Sequence, residues 1–278
     1  MAAAPSPTAP AIDLGVRRDL SGLVEGAIGL WKANVAAFLS LALVVVAPAA
    51  LVLEIYSQRL TDGMQSIQDQ LKATPNGATP TVHIPSGFWT ALAVILVVSF
   101  IQGPLITAIH ARAVVALSRA PSIEVGAAIR DAAPVLLIAF VAEVLAVLLT
   151  SLALVALVIP GIYLGIRLLF AAQVAAVDGR LRGALAGSWR IVKGQWWRTF
   201  GLYLLFSVMA GVANGLVGAL ATGLFSSLGL DALGLASRVV VQGVTASLMA
   251  LAVTLLFFDL RVRAGEVAAT PDPAAPVW

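Results

Sequence analysis

Apolar residues gather in this chain into long runs rather than short alternations. Residues 33–53, 88–101, 134–159, 199–222 and 239–258 hold few or no charged side chains. A bilayer's hydrocarbon core is about 30 Å thick and takes roughly 20 apolar residues of helix to cross. The runs, divided at their breakers, predict six membrane spans. These cover 33–56 with Pro48 inside, 88–117 with a bend at Gln102, Gly103 and Pro104, then 134–159, 162–177, 196–224 and 239–260. Pro160 and Gly161 are expected to reverse the chain between the third and fourth spans. Residues 57–87 read as the one sizeable loop, with a Thr-Pro-Asn-Gly turn signal at 74–77. The fold class predicted is all-α, a polytopic transmembrane bundle with amphipathic interfacial helices.

Three segments that precede odd-numbered spans look alike: 23–35, 123–135 and 183–196. Setting Gly26, Gly126 and Gly187 equivalent aligns Lys32 with Lys193, and Asn34 with Pro134 and Gln195. Two readings fit. One is a threefold internal repeat of surface helix plus helical hairpin; the other is that any helix entering a bilayer meets the same demands.

Composition strengthens the membrane reading. Of 278 residues, 60% are hydrophobic and 11% charged, against about 25% charged in a soluble domain. Mean hydropathy is +0.98. The absence of cysteine excludes disulfides and thiolate-held metals. Two histidines, His83 and His110, make neither a paired-histidine metal motif nor a Ser/His/Asp arrangement. No catalytic residue, metal or cofactor is expected, and the chain reads as non-enzymatic. Basic residues are too few and too close to the bilayer to suggest nucleic acid. Residues 1–18 and 264–278 are expected to be loose tails around a membrane domain at 19–263, and the Pro/Ala-rich start lacks the apolar core of a signal peptide.

The placement of charge orients the spans. With both termini in the cytoplasm, every Lys and Arg except Arg59, Lys72 and Arg238 falls on the cytoplasmic side. The alanine-rich, lysine-poor composition, with arginine far outnumbering lysine, suits a high-GC genome, and the expected location is a bacterial inner membrane.

Several positions could carry function. Between the fourth and fifth spans, Leu181, Leu185, Trp189, Val192 and Trp196 share one helical arc, with Arg182, Arg190 and Lys193 on the adjoining arc. Such a helix lies in the membrane interface with its cations toward headgroups. Each cation beside an anionic leaflet contributes about 1 kcal/mol. With Trp196, Trp197 and Arg198 at headgroup level, the segment is either an anionic-lipid site or an anchor fixing orientation and depth. Arg167, inside an apolar run, is expected near the outer end, either snorkelling to the interface or paired structurally. Glu143 is expected level with His110 and Arg112, so a helix-locking pair with one of them competes with a proton or ion relay. Glycines such as Gly161, Gly165, Gly201, Gly211, Gly215 and Gly218 favour close helix packing.

Three motifs occur in order: residues 160–167 (PGIYLGIR), 188–201 (SWRIVKGQWWRTFG) and 255–263 (LLFFDLRVR). With them the chain, over 19–263, resembles the bacterial glycerophosphoryl diester phosphodiesterase membrane domain family and related uncharacterised six-helix families. The matching positions are Pro160, Gly161 and Arg167, then Ser188, Trp189 and Arg190, then Asp259 and Arg261. The resemblance implies a six-helix membrane fold and an association with phospholipid metabolism. It does not imply hydrolysis, which in the proteins that gave the family its name belongs to a separate barrel domain. The function expected is a non-catalytic module that binds membrane lipid, anionic phospholipid among them, or a membrane protein partner or second copy. A transporter or channel for a small solute or ion is the alternative.

Overall fold

The computed structural model describes residues 12–73, 79 and 81–267. The turn signal at 74–77 and the outer parts of both expected tails lie outside the described residues. Among the described residues the chain is helical and forms no strand. In order come α1 (Leu20–Ala33), α2 (Val35–Ala73), α3 (Ser86–Leu117), α4 (Val125–Ala156), α5 (Val158–Leu168), α6 (Ala171–Asp178), α7 (Ala184–Val192), α8 (Trp196–Val212), α9 (Gly218–Ser227) and α10 (Asp231–Arg263). A π-helical turn, Ala213–Val217, joins α8 to α9. Six stretches are long and apolar enough to cross a membrane: α2, α3, α4, α5 with α6, α8 through α9, and α10. The protein is an integral, multi-pass membrane protein of the all-α class.

Two compact units make up the chain, Val44–Gly103 and the remainder. The first is built from the later part of α2 and the earlier part of α3. Residues 57–73, expected as loop, continue α2. Their Gln, Leu, Met and Lys residues are good helix formers, and no proline intervenes before Pro75. Low hydropathy there marks the end of the apolar run, not the end of the helix. Gly63 meets the Phe88 ring closely, a Cβ there standing 2.9 Å from Phe88 Cδ2. Nearer the turn, the Gln70 amide brackets the His83 backbone, donating to its carbonyl at 2.9 Å and accepting from its N–H at 2.7 Å.

In the second unit, the core is the last third of α10, where Leu251–Leu260 is buried residue after residue. A helix apolar on all sides must be enclosed on all sides. α1 covers it with Leu23, Ala27 and Leu30, and α7 adds Ile191 and Val192. Phe170, just before α6, brings its ring to 6.0 Å from Phe257. α4 packs instead on α5 and α6 through Ala132, Ala139, Ala142 and Ala146.

The expected reversal at Pro160 and Gly161 is displaced. A single extended residue, Leu157 (φ −157°, ψ 127°), turns α4 into α5, and Pro160 occupies the first turn of α5. Proline is compatible there because first-turn N–H groups have no helical acceptor. Gly161 has a different task. A Cβ would lie 2.6 Å from the Leu154 backbone Cα, so only glycine lets α5 fold back on α4.

The three surface helices reduce to two. α1 ends at Asn34 and α7 at Lys193, each leading into a span. The middle segment is the start of α4, which runs unbroken through Pro134. The tail drawn to residue 18 is also held: Gly15 is buried, and Arg18 N–H donates to Asp259 Oδ1 at 2.7 Å.

Candidate functional site

The three sequence motifs meet in the second unit. Between α5 and α6 the helix is interrupted at Leu169 and Phe170, which leaves backbone groups without their usual partners. Ser188 of α7 supplies them. Its hydroxyl donates to the Arg167 carbonyl at 2.8 Å and accepts from Phe170 N–H at 3.1 Å. Gly187 permits this approach, since a Cβ there would stand 2.9 Å from Val174 Cγ1. The inward face of α7 is therefore Ala184, Gly187, Ser188, Ile191 and Val192. This corrects the expected apolar arc. Leu181 and Trp196 lie outside the helix, and Leu181 and Trp189 are exposed.

Arg167 is buried, at 9% exposure. It was expected near the outer end of its span, yet it lies against α7, beside the start of α8. Its Nε and one Nη donate to Tyr163 Oη at 2.9 and 2.6 Å, and the other Nη donates to the Trp189 carbonyl at 3.1 Å. The guanidinium carbon sits 4.7 Å from the Trp189 ring centroid and 5.2 Å from that of Tyr163. Trp196 stacks on Tyr163 at 5.7 Å and donates from Nε1 to the Tyr163 carbonyl at 3.1 Å. Phe200 stacks on Trp196 in turn, at 5.2 Å. The structural part of the expectation, that Arg167 would be tied down, is met by neutral acceptors and rings.

Asp259 organises the other side of α7 and α8. With a fully buried side chain, it accepts from Arg18 N–H, from Arg198 at 2.9 Å and from Arg263 at 2.8 Å. Arg198 and Arg263 also donate to the Arg18 carbonyl. The Arg18 guanidinium donates to the Asp13 carbonyl, and burial pulls its pKa below the ordinary arginine value against the attraction of Asp13 and Asp259. Arg261 pairs with Asp178 at 3.0 Å and lies 3.2 Å from Glu266, which accepts from Arg190 Nε at 2.6 Å. Arg198, counted with the headgroup candidates, is thus partly buried and tied to Asp259.

The remaining members of that set stay outside. Arg190 keeps 65% of its side chain exposed despite its pair, and Trp197 is 78% exposed. Arg182 and Lys193 are exposed and hold no ion pair among the described residues.

The expected pairing of Glu143 with His110 or Arg112 does not form. His110, fully buried, donates from Nδ1 to the Ile106 carbonyl at 2.9 Å, so its Nε2 accepts from the Ser247 hydroxyl at 3.1 Å. Its ring stacks on Phe38 at 5.8 Å. Both nitrogens are therefore occupied, and Glu143 and Arg112 are half-buried without hydrogen-bond or ion-pair partners among the described residues. Elsewhere, a cleft of about 180 Å³ opens between α1, α8 and α10, with Val24, Ile28, Phe206, Met209, Leu248 and Met249 among its walls. Thr245, its one polar lining residue, donates to Asn214 Oδ1 in the π-helical turn at 2.8 Å.

Sequence reading missed Tyr163, Arg18, Arg263 and Glu266. Two carried a signal: Tyr163 stands four residues before Arg167, and Arg263 four after Asp259, the spacing at which helical side chains meet. Compared with known proteins, the chain matches no family model, no curated protein and no solved structure.

Proposed function

We propose that the protein is a non-catalytic membrane module that gathers anionic lipid at its basic, tryptophan-bearing end. The observation that carries this reading is the exposure of Trp197, Arg182 and Lys193 together at the start of α8 and around α7, without acidic partners among the described residues. Interfacial indoles and cations of this kind find their complement in headgroups. The apolar cleft between α1, α8 and α10 offers acyl chains a seat. In this reading the protein sits in a bacterial inner membrane with both termini in the cytoplasm, since that orientation puts the cations against the anionic leaflet. The motif positions' convergence supports membership of the glycerophosphoryl diester phosphodiesterase membrane domain family as part of the same proposal.

The transport alternative draws on Glu143, a carboxylate within a span and without a partner among the described residues. Against it, the cleft between α1, α8 and α10 contains neither Glu143 nor Arg167.

The test is tryptophan quenching in reconstituted vesicles that contain either brominated phosphatidylglycerol or brominated phosphatidylcholine. The native protein should be quenched more by the brominated anionic lipid. Replacing Arg182, Arg190 and Lys193 by glutamine should bring the two values together. Equal quenching in the native protein would refute the proposal.

A further inference from the structure

We propose that Arg167, held between the Tyr163 and Trp189 rings, is the binding site for the phosphate of one anionic phospholipid. This rests on the lipid reading above and narrows it to a single side chain.

The other buried or partly buried arginines around it have carboxylates. Arg198 and Arg263 share Asp259, and Arg261 has Asp178. Arg167 is more deeply buried than these and has no carboxylate partner among the described residues. Its acceptors, a phenol oxygen and a peptide carbonyl, are neutral. A guanidinium carries five N–H donors. Three are engaged, so one N–H on each Nη remains to be satisfied. A buried cation of this kind is stable only when a charge or a full set of hydrogen bonds compensates it, and a planar fork with free donors matches phosphate oxygens.

Position selects the source of that phosphate. Tyr163 and Trp189, which flank the guanidinium, are 38% and 40% exposed and form an aromatic rim. Trp196, bonded to the Tyr163 carbonyl, begins the fifth span and so marks the bilayer boundary, where lipid phosphates lie. An amphiphile fits an apolar rim around a cation better than a hydrated free anion does.

Titration of the detergent-solubilised protein with short-chain phosphatidylglycerol, followed by ³¹P NMR, tests this. Inorganic phosphate and short-chain phosphatidylcholine are run alongside. One phosphatidylglycerol is expected to bind tightly, with no competition from inorganic phosphate at equal concentration. Arg167→Gln should weaken it by about tenfold to a hundredfold, the loss of a charged hydrogen bond. Arg167→Lys, which keeps the charge without the fork, should fall between. The glutamine variant of Arg182, Arg190 and Lys193 should keep the single tight lipid while losing general anionic preference. Should Arg167→Gln fail to fold, Arg167→Lys decides. Unchanged binding in a folded Arg167 variant would overturn the assignment, as would equal competition by inorganic phosphate. A native protein that prefers no anionic lipid at all would instead overturn the broader lipid reading.

Discussion

Asp259 collects three polar partners, one from the next turn of its own helix, Arg263, and two from segments far away in sequence, Arg18 and Arg198. Removing it leaves the Arg18 N–H without an acceptor and Arg198 and Arg263 with only the Arg18 carbonyl between them. Breaking one side of a buried pair typically costs about 3–5 kcal/mol. Asp259→Ala is therefore expected to lower the thermal unfolding midpoint in detergent sharply, and a loss under about 1 kcal/mol would contradict the role given to it. Ser188 is a smaller version of the same logic. Ser188→Ala strands one buried N–H and one carbonyl at the α5–α6 break, a loss of about 1–3 kcal/mol, readable in the same unfolding measurement. At this scale the sequence was informative about identity and silent about partnership. Ser188, Arg167 and Asp259 stood out as motif residues. That Ser188 repairs a helix break and that Asp259 also accepts from Arg18 and Arg198 depends on the packing of α5, α7, α8 and the segment before α1. Periodicity along one helix does not carry that information.

Elements turn on single residues that decide where helices stop and how closely they approach. The apolar runs located all six spans, because length and hydropathy alone govern whether a helix can cross a bilayer. Boundaries were harder to read. Pro160 looked like a turn residue but is tolerated in the first turn of α5, and the turn itself falls on Leu157, a residue with no turn signature. Gly161→Val should force α5 away from the Leu154 backbone, with a cost of at least about 1–3 kcal/mol for overpacking and reduced folded yield. A variant as stable as the native protein would refute the close-contact role. α1 depends on its cap. Asp19 accepts from Gly22 N–H at 2.8 Å and from the Ser21 hydroxyl at 3.1 Å, and these bonds hold its carboxyl below the ordinary value. Its contribution is therefore present above the unfolded carboxylate pKa and is lost as pH falls through the lowered folded one. The Gly22 amide chemical shift should report that transition, and Asp19→Asn, which caps without titrating, should abolish it. A shift that persists in the Asn variant would assign the titration elsewhere.

The second unit gathers its best-packed residues and a cluster of ion pairs around the end of α10, while α4 and α8 through α9 present many exposed leucines and valines. In water such faces would be a liability; in a bilayer lipid covers them. The absence of cysteine makes the proposed orientation simple to check. A single cysteine at Lys193 should react with an impermeant thiol reagent only from the cytoplasmic side, and one at Lys72 only from the opposite side. Labelling of both from one side would reject the topology. The proposed ligand is legible only as a class, because exposed tryptophans and cations point to headgroup chemistry and not to a particular lipid. The most direct test of the central claim is native mass spectrometry of protein extracted gently from its own membrane, with the retained lipids identified. Selective retention of anionic phospholipid, reduced in the variant with glutamine at Arg182, Arg190 and Lys193, is the expected result. Retained lipids that merely mirror the membrane's bulk composition would contradict it.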